Sequence, residues 1–330
     1  LNRLKQRGDE ITCISTASYG GRDIFQDSDL IEEVIDLGGE ASEWVKFNLK
    51  YKGIFDEAYL DNFASTRKII LSAQIIAGKV ILQKIPKNLP GLLAQKCRVV
   101  KPESSLHAAV QNLRLLDENA SNTTLNYQSI SLTYKGPASK HLDGVSSYIA
   151  IQLGSANDIK SFKNWRIDYW IEFISNISIH FPDFQIILLG EASEQPLADQ
   201  VRSDLGDAVI SLIGKTTIED LKSIISNCEL FIGVDSGLMH VAAAYNRPTF
   251  TLWGPSDPGL YGYEIMDSQK HRAVSLHLAC SPCNSWLSPN TSRVKNPEEC
   301  PDFRCMLEMT PEIVYNEFER FAQNLNANFS

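Results

Sequence analysis

The sequence lacks several features that mark specialised classes of protein. Its 330 residues contain no run of about 18 or more uninterrupted apolar residues, so no transmembrane helix is predicted. The opening residues, 1–5, are not followed by the long apolar stretch of a signal peptide. Solenoid-type repeats and low-complexity tracts are absent as well. The seven cysteines are an odd number, which argues against a complete disulfide framework.

What is present is the composition of an ordinary soluble globular protein. Apolar residues make up 43% of the chain and charged residues 22%. This is enough apolar material for two sizeable cores, and the length also predicts two domains.

Charge is distributed unevenly along the chain. Residues 1–140 carry 18 Lys and Arg against 16 Asp and Glu, a net charge of +2, whereas residues 141–330 carry 13 against 24, a net charge of −11. The segment 67–114 holds nine basic residues and a single acid, Glu103. This basic segment is typical of contact with an anionic partner such as a phosphorylated glycolipid or a membrane surface. Solubilising charge around a loop has the same composition.

From residue 149 onward, short apolar strands alternate regularly with helices. The predicted strands are 149–153, 185–189, 209–213, 230–234 and 249–253, and the predicted helices are 167–179, 196–205, 217–226 and 238–245. Such alternation indicates a parallel sheet that is covered on both faces.

The first part of the chain gives a noisier signal of the same kind. It predicts strands over 11–15, 33–37 and 58–60 and a helix over 66–77. Residues 134–147 contain Lys-Gly-Pro and His-Leu-Asp-Gly runs and are interpreted as the interdomain linker. A final helix begins at Thr310-Pro311-Glu312, which supplies a cap, a first-turn proline and an acid.

Small or polar residues close four of the strands predicted after residue 149. They are Gly154-Ser155, Gly190-Glu191, Gly214-Lys215-Thr216 and Asp235-Ser236-Gly237. Ligands of an open parallel sheet bind in the crevice outside these carboxyl ends. A helix that begins at Ser236 and Gly237 would offer unpaired N–H groups to a diphosphate. Lys163, on the loop after the first of these strands, would neutralise the same phosphates.

Each of these residues also has an ordinary structural interpretation. Asp235 before a helix is often only a cap, and Thr216 would cap the helix that follows it. His240 would be a packed histidine of an apolar helix, and Glu194 a helix-terminal acid ahead of a proline. Lys163 is most simply a solvated surface lysine. The functional interpretation is favoured because all five converge on one edge of one sheet.

Four elements of the sequence resemble the signature of glycosyltransferase family 9, the bacterial ADP-heptose:lipopolysaccharide heptosyltransferases. The longest is Phe-Ile-Gly-Val-Asp-Ser-Gly-Leu-Met-His-Val-Ala-Ala-Ala at 231–244, followed by Arg-Pro at 247–248 and Trp-Gly-Pro-Ser-Asp-Pro at 253–258. Lys163-Asn164-Trp165 resembles the Lys-x-Trp element of the family, with Arg166 where proline is usual. Gly190 with Glu194 resembles its Gly-x-x-x-Glu element, and 214–216 also matches.

The resemblance implies an α/β protein of the GT-B fold, with two Rossmann-like domains whose parallel sheets face each other across a cleft. Residues 1–140 would form the acceptor-side domain and 145–310 the nucleotide-sugar-binding domain. The C-terminal helix, 311–326, would pack back toward the first domain. The implied reaction is inverting transfer of a sugar, heptose, from a nucleoside diphosphate, with no obligatory catalytic metal.

The resemblance also assigns roles in the donor site. Asp235, Ser236 and Gly237 would contact the diphosphate or sugar, Lys163 a phosphate, Glu194 the ribose hydroxyls, and Thr216 would lie beside the base. Gly154, Ser155 and His240 complete the expected donor-binding set. Lys163 and Asp235 are also the expected catalytic residues, since charge that develops on the leaving phosphate must be stabilised.

The general base is not assigned to any acid of this sequence. In the family the base is an acid in a glycine-rich loop after the very first strand, and residues 1–5 resemble the helix that follows that loop. The first strand and loop are therefore expected to be missing. Two other functions stay open: a catalytically silent nucleotide-sugar-binding or assembly module, and another GT-B enzyme such as a nucleotide-sugar epimerase.

The partners follow from the resemblance as well. They are a nucleotide-sugar donor, ADP-heptose or similar, and an anionic glycolipid or glycan acceptor such as lipopolysaccharide core. A cytoplasmic location with peripheral contact to the inner membrane is expected, and no binding of nucleic acid.

Four of the cysteines lie close together near the C-terminus. Cys280 and Cys283 form one pair and Cys300 and Cys305 another. Paired cysteines at short spacing are the sequence form of a four-thiolate site for zinc or iron, which would be structural rather than catalytic. Cysteines without metal also occur in this region of family members.

Overall fold

The structure, a computed structural model, describes residues 1–16, 21–25, 28–61, 66–154, 162–283 and 300–329. They form two compact units, Leu1–Leu125 and Asn126–Ser330. None of the helices among these residues is both long and apolar enough to cross a bilayer.

The described residues of the first unit form five strands in two parallel sheets. The strands are β1 (Thr12–Thr16), β2 (Glu33–Leu37), β3 (Phe55–Leu60), β4 (Ala77–Leu82) and β5 (Cys97–Val99). The helices are α1 (Asn2–Arg7), α2 (Gly21–Phe25), α3 (Ala41–Lys50), α4 (Arg67–Ile76), α5 (Gly91–Ala94) and α6 (Ala108–Leu113). β1 pairs with β2, and β3, β4 and β5 form a second sheet in that order.

Helix α4 shows how this unit is held together. Thr66 caps it by accepting the Ile69 N–H at 3.4 Å. Ile70, Ala73 and Ile76 are buried at the i, i+3, i+6 spacing of one helical face. That face covers the sheet, and β4 begins immediately after α4 at Ala77.

In the second unit, the part of the chain that the structure describes forms one sheet of six parallel strands. The strands are β6 (Tyr148–Gln152), β7 (Gln185–Leu189), β8 (Val209–Ser211), β9 (Leu230–Val234), β10 (Thr249–Leu252) and β11 (His271–Val274). The helices are α7 (Tyr127–Ile130), α8 (Ile167–His180), α9 (Gln195–Leu205), α10 (Ile218–Asn227), α11 (Gly237–Ala244), α12 (Pro258–Tyr261), α13 (Arg304–Leu307) and α14 (Pro311–Phe329).

The strand order of this sheet fixes where a ligand binds. The order is β11-β10-β9-β6-β7-β8 with every pairing parallel. Counted within the unit and from the other edge, this is the Rossmann order 3-2-1-4-5-6. The chain reverses its direction of growth between β6 and β9, so the crevice outside their carboxyl ends is the expected binding position. One apolar cluster fills each face of the sheet.

The segment predicted as the linker packs within the second unit. The Tyr134 hydroxyl donates to Glu219 at 2.7 Å, and the Ser139 hydroxyl donates to Asp220 at 2.8 Å. Both acceptors belong to α10. The chain therefore passes from one unit to the other before residue 134, between Leu125 and Asn126.

Helix α14 closes one face of the six-stranded sheet. Val314, Phe318 and Phe321 are buried in the cluster that α8 shares. The Phe318 ring meets Phe250 of β10 edge-on at 5.3 Å between centroids. The expectation that this helix reaches back toward the first domain stays a prediction.

Candidate functional site

The two strands at the switch point are joined directly at their carboxyl ends. β6 ends at Gln152 and β9 at Val234, two residues before Ser236. The Ser236 hydroxyl donates to Gln152 Oε1 across the gap between the strands. The bond fixes the turn from β9 into α11 against β6, so both sides of the crevice share one rigid edge.

The first turn of α11 is not capped by a side chain. Ser236 occupies the N-cap position and its hydroxyl is turned to Gln152 instead. Asp235 is not the cap, so its ordinary interpretation as one is wrong. A Cβ placed on Gly237 would meet no heavy atom within 4 Å. Open space therefore lies over a helix N-terminus, where backbone N–H groups and the helix dipole favour an anion.

Lys163 and Asp235 form an ion pair beside this turn. The Lys163 Nζ lies 2.6 Å from Asp235 Oδ2, and the two side chains are only 19% and 11% exposed. Lys163 is thus not a solvated surface lysine. Its loop is anchored by Trp165, whose indole N–H donates to the Met309 carbonyl at 2.7 Å. The Lys-x-Trp element therefore uses its tryptophan to hold its lysine in place.

Glu194 lies on the neighbouring loop after β7 and is buried. Its Oε2 accepts the Glu191 N–H at 2.9 Å, whereas its Oε1 is buried without a hydrogen bond of ordinary geometry to any described residue. Burial raises the pKa of this carboxyl, and the Glu191 and Gly154 N–H groups oppose the shift in part. The bond from the Glu191 N–H is also one half of a capping box, since the Glu191 side chain accepts the Glu194 N–H in return. Glu194 is therefore a helix-terminal acid, as its ordinary interpretation has it, but one that is buried rather than solvated.

Two glycines make room for the Glu194 carboxylate. A Cβ on Gly190 would lie 2.5 Å from Glu194 Oε2, and one on Gly154 would lie 3.0 Å from Oε1. Real Cβ atoms do not approach so closely, so any side chain at Gly190 would displace the acid. This is the physical reason for glycine in the Gly-x-x-x-Glu element.

The last two predicted donor-site residues are His240, on α11, and Thr216, after β8. His240 Nδ1 lies 3.0 Å from the Tyr263 hydroxyl, and burial lowers the pKa of the imidazole while Asp235 raises it. Thr216 is half-buried in the turn after β8. Its neighbour Thr217, with Asp220, forms the capping box of α10, so the interpretation of Thr216 as the cap is wrong.

The structure thus gathers most of the predicted residues into two linked groups. One group is Lys163, Asp235, Ser236, Gly237 and His240 at the β9–α11 turn, and the other is Gly154, Gly190 and Glu194 between β6 and β7. Thr216 lies after β8, the strand that pairs with β7, and the Gly214 N–H there donates to the Gly190 carbonyl at 3.0 Å. Ser155 lies outside the described residues. The roles of all these residues stay predictions.

Sequence reasoning missed three polar side chains of the site. Gln152 is the last residue of an apolar strand, and Asn164 stands beside Lys163 with its Oδ1 3.0 Å from the position of a Cβ on Gly154. Tyr263 belongs to no recognisable element. A polar residue at the end of a fully buried strand was the one signal that would have identified Gln152.

The C-terminal cysteines pack together but form no metal site in the described part of the chain. Burial, followed by the neighbouring Cys283, Cys300 and Cys280, raises the pKa of the Cys305 thiol to about 12. No group of three or more His, Cys, Asp or Glu side chains able to hold a metal occurs among the described residues, and 284–299 fall outside them. The predicted zinc or iron site is therefore not supported.

The first unit carries exposed cations at the carboxyl edge of its three-stranded sheet. Arg67 begins the helix after β3, Lys84 and Lys87 follow β4, and Lys101 follows β5. All four are exposed, and none forms an ion pair with a described residue. Elsewhere in the basic segment, Lys79, Arg98 and Arg114 are paired with Glu57, Glu118 and Glu103.

A Rossmann-type sheet whose switch point carries an uncapped helix, a largely shielded ion pair and a buried acid has the groups, at the position, that nucleotide-binding proteins of this fold use. Comparison with known proteins gives the family. The model of "Glycosyltransferase family 9 (heptosyltransferase)" matches residues 86–292, more than half of the chain. The chain belongs to this family, as the sequence resemblance predicted.

Curated relatives match in part of their length. Lipooligosaccharide heptosyltransferase 2 of Haemophilus influenzae is 37% identical over 79 residues, 23% of each chain. The protein of the same name from Campylobacter jejuni is 26% identical over 211 residues, 62% of this chain and 61% of that protein. The chain thus matches less than two thirds of the length of these relatives.

A solved structure shows the same fold. The E. coli heptosyltransferase WaaC with ADP superposes with a TM-score of 0.66 at 17% identity, over 96% of this chain and 92% of that one. The predicted α/β architecture of the GT-B class is confirmed.

Proposed function

We propose that this chain is an inverting glycosyltransferase that moves a sugar, heptose, from a nucleoside diphosphate to an anionic cell-envelope acceptor such as lipopolysaccharide core. Family membership supports the reaction class. The curated relatives are named as lipooligosaccharide heptosyltransferases, and the solved relative is a complex with ADP.

The observation that carries the proposal is the open, uncapped start of α11 beside Lys163, whose side chain is only 19% exposed. A diphosphate placed over Gly237 accepts hydrogen bonds from the backbone N–H groups of the first turn of α11. It also lies next to the ion pair of Lys163 with Asp235. Lys163 then shares its charge between Asp235 and a phosphate oxygen. Departure of the nucleoside diphosphate leaves negative charge on the phosphate next to the sugar, and Lys163 with the helix dipole stabilises that charge.

Asp235 has two tasks in this scheme. Its Oδ2 holds Lys163 in place, and its other oxygen is assigned to accept a hydrogen bond from a hydroxyl of the donor sugar. The sugar develops oxocarbenium character as the bond breaks, and a nearby carboxylate favours that positive charge. Ser236 serves mainly by fixing the turn through Gln152.

Glu194 binds the ribose. Its Oε1 is buried without an ordinary hydrogen bond, and two hydroxyls of a ribose would satisfy it. Gly154 and Gly190 keep this carboxylate accessible, and Thr216, one strand further along, lies beside the base. His240 completes the set near the diphosphate.

The acceptor binds the first unit through its exposed cations. Arg67, Lys84, Lys87 and Lys101 stand at a carboxyl edge of parallel strands, the edge where ligands of such sheets bind. Four solvated cations fit the phosphates of a lipopolysaccharide core. Such an acceptor places the reaction at the cytoplasmic face of the inner membrane, with the protein in peripheral contact. A carboxylate must deprotonate the acceptor hydroxyl, and no acid of this chain is assigned to that step.

A coupled experiment tests binding and transfer separately. Calorimetric titration with ADP and with UDP measures donor recognition, and release of ADP from ADP-heptose in the presence of heptose-deficient lipopolysaccharide measures transfer. ADP binding together with acceptor-dependent ADP release supports the proposal. Binding without transfer supports the silent nucleotide-sugar-binding module instead, and an absence of both removes the donor site.

A further inference from the structure

Tyr263 approaches the donor site from a part of the chain that carries no family motif. It lies between α12 and β11, in a turn where the Met266 and Asp267 N–H groups donate to its carbonyl at 2.9 and 3.2 Å. Its hydroxyl is 3.0 Å from His240 Nδ1, and the two rings meet edge-on with centroids 5.7 Å apart. The contact joins two segments 23 residues apart.

The imidazole of His240 interacts electrostatically with the charged residues of the proposed donor site. It sits on α11, one turn after Gly237. Of the charges that act on the pKa of its imidazole, Asp235 raises it and Lys163 lowers it, while burial lowers it most. The two charges largely oppose each other, so the imidazole is neutral around pH 7 and has one N–H donor and one bare nitrogen.

The Tyr263 hydroxyl decides which nitrogen carries that proton. Burial raises the pKa of Tyr263 to about 12, so the phenol stays protonated. A phenol O–H is a strong donor and a phenol oxygen a poor acceptor, whereas a bare imidazole nitrogen accepts well. This chemistry favours a bond that runs from the Tyr263 O–H to Nδ1, with the imidazole proton on Nε2.

The Tyr263 ring is itself supported by a contact with His271. Its ring lies 5.8 Å from that of His271 on β11. His271 is fixed at both nitrogens, since Nδ1 is 2.9 Å from the Thr249 hydroxyl and Nε2 is 2.9 Å from the Tyr127 hydroxyl. A side chain supported in this way holds its neighbour in one orientation.

We propose that Tyr263 is a positioning residue of the donor site, which holds His240 in the tautomer with its proton on Nε2 so that the imidazole donates a hydrogen bond to an oxygen of the bound sugar diphosphate. The inference rests on the proposed function for the identity of the ligand. The tautomer itself does not depend on it. Without the tyrosine hydroxyl, His240 would divide between two tautomers, one of which presents a bare nitrogen to an anion.

The test compares Tyr263→Phe with Tyr148→Phe. Tyr148→Phe is a matched control because it also removes one buried tyrosine hydrogen bond, 2.8 Å to the Ile224 carbonyl, but at the amino end of β6, away from the carboxyl ends of the strands. Nitrogen-15 NMR of labelled imidazoles, with the His240 resonance assigned through His240→Gln, reads the tautomer directly. In Tyr263→Phe we expect the Nδ1 resonance of His240 to shift from the value of an unprotonated nitrogen toward the average of the two tautomers. In Tyr148→Phe we expect it to stay where it is in the wild type.

Kinetics supply the second measurement. Tyr263→Phe should raise the KM for the sugar donor about five- to tenfold, the effect of one hydrogen bond, with a smaller change in kcat. Tyr148→Phe should lower the thermal midpoint and leave that KM unchanged. In a His240→Gln background Tyr263→Phe should have no further effect on donor KM.

The two measurements separate failure of this inference from failure of the proposed function. An unchanged His240 tautomer in Tyr263→Phe overturns the inference even if the protein transfers heptose. A changed tautomer in a protein that binds no nucleotide sustains the positioning of His240 and overturns the proposed function together with the ligand named here. Equal KM changes in both tyrosine variants would reduce Tyr263 to a packing residue.

Discussion

The carboxyl edges of the two units present charge in opposite ways. In the second unit Lys163 and Asp235 are paired and largely shielded, and Glu194 is 4% exposed. In the first unit Arg67, Lys84, Lys87 and Lys101 stand in solvent, with no ion pair to a described residue. In the proposed function, the first arrangement suits a small ligand of fixed shape, and the second suits a larger anion.

The two edges differ in how their charged residues affect the free energy of folding. Burial of Glu194 raises its pKa and disfavours its ionised form, so that site is maintained against the stability of the protein. Exposed lysines carry no such penalty, but each contributes little to affinity and is screened by salt. We therefore expect substitutions in the second unit to have large and specific effects, and those in the first unit small and additive ones.

The largest effect is expected from Gly237→Leu. A Cβ there meets nothing within 4 Å in the unliganded protein, so the fold should keep its stability to within about 1 kcal/mol. The side chain would fill the space proposed for the diphosphate, and the affinity for ADP should fall at least about a hundredfold, as measured by calorimetry.

Gly91→Leu is the matched control for this change. Gly91 is also the first residue of a helix with open space at its Cβ, but it lies in the first unit. It should bind ADP normally. Normal ADP binding by Gly237→Leu would show that the diphosphate does not bind at the start of α11. The carboxyl edge of the second unit would then not be the site for a small ligand that distinguishes it from the first unit.

Lys163→Ala should weaken ADP binding about tenfold or more, since it removes one charge-assisted hydrogen bond to phosphate. It should also lower the thermal midpoint, because Asp235 at 8% exposure loses its partner. Lys222→Ala is the control: it also removes a lysine of an ion pair, 2.9 Å from its Nζ to Glu219 Oε2, but on α10, outside the predicted donor-binding set. Titration calorimetry of both variants decides the point, and equal losses would show that Lys163 acts only through general charge.

The alternation of strands and helices in the second unit could be predicted to within about two residues at each boundary. Strands such as β7 and β9 are buried on both faces, so each is an uninterrupted apolar run closed by a glycine or an aspartate. β11 was missed because its sequence, His271-Arg272-Ala273-Val274, is only half apolar and lies at the sheet edge.

In the first unit, tertiary packing decides more than local pattern does. β4 was missed because it follows α4 without a loop, so one apolar stretch contains the end of a helix and a whole strand. Periodicity does not separate two such elements.

The donor site shows the same division between local and distant information. Lys163, Glu194 and Asp235 were predicted because each stands in a recognisable element next to a strand end. Tyr263 was not, since its contact with His240 depends on how a turn between α12 and β11 folds back. Contacts of this kind leave no periodic or motif signal in the sequence.

A paired charge neutralisation tests the first unit. Lys84→Gln with Lys101→Gln removes two cations from the carboxyl edge of β4 and β5, and the acceptor KM should rise about fivefold, an effect that shrinks at high salt. Lys52→Gln with Lys96→Gln removes the same charge from positions that precede β3 and β5, at the opposite edge. Steady-state kinetics with lipopolysaccharide acceptor at two ionic strengths distinguish them. Equal KM values for the two double variants would mean that the acceptor does not select this edge.

The smallest effect is expected in the stability of Glu194→Gln. Because the folded-state pKa of Glu194 is raised above its ordinary value of 4.5, the wild type binds its proton more tightly when folded. The wild type therefore loses stability as the pH rises from that ordinary value through the raised one, and the variant does not. Above this interval Glu194→Gln should be the more stable protein, by up to about 1 kcal/mol in denaturant unfolding, while it binds ADP more weakly.

Asp220→Asn gives the opposite sign and serves as the control. Hydrogen bonds from Thr217 lower the pKa of Asp220, so there the wild type gains stability relative to the variant as the pH rises through the carboxyl range. Asp220 caps a helix and has no place in the donor site. If Glu194→Gln instead lost stability with rising pH as Asp220→Asn does, the capping bond that Glu194 accepts from the Glu191 N–H would outweigh the burial of its carboxylate, and the donor edge would not be maintained against the stability of the fold.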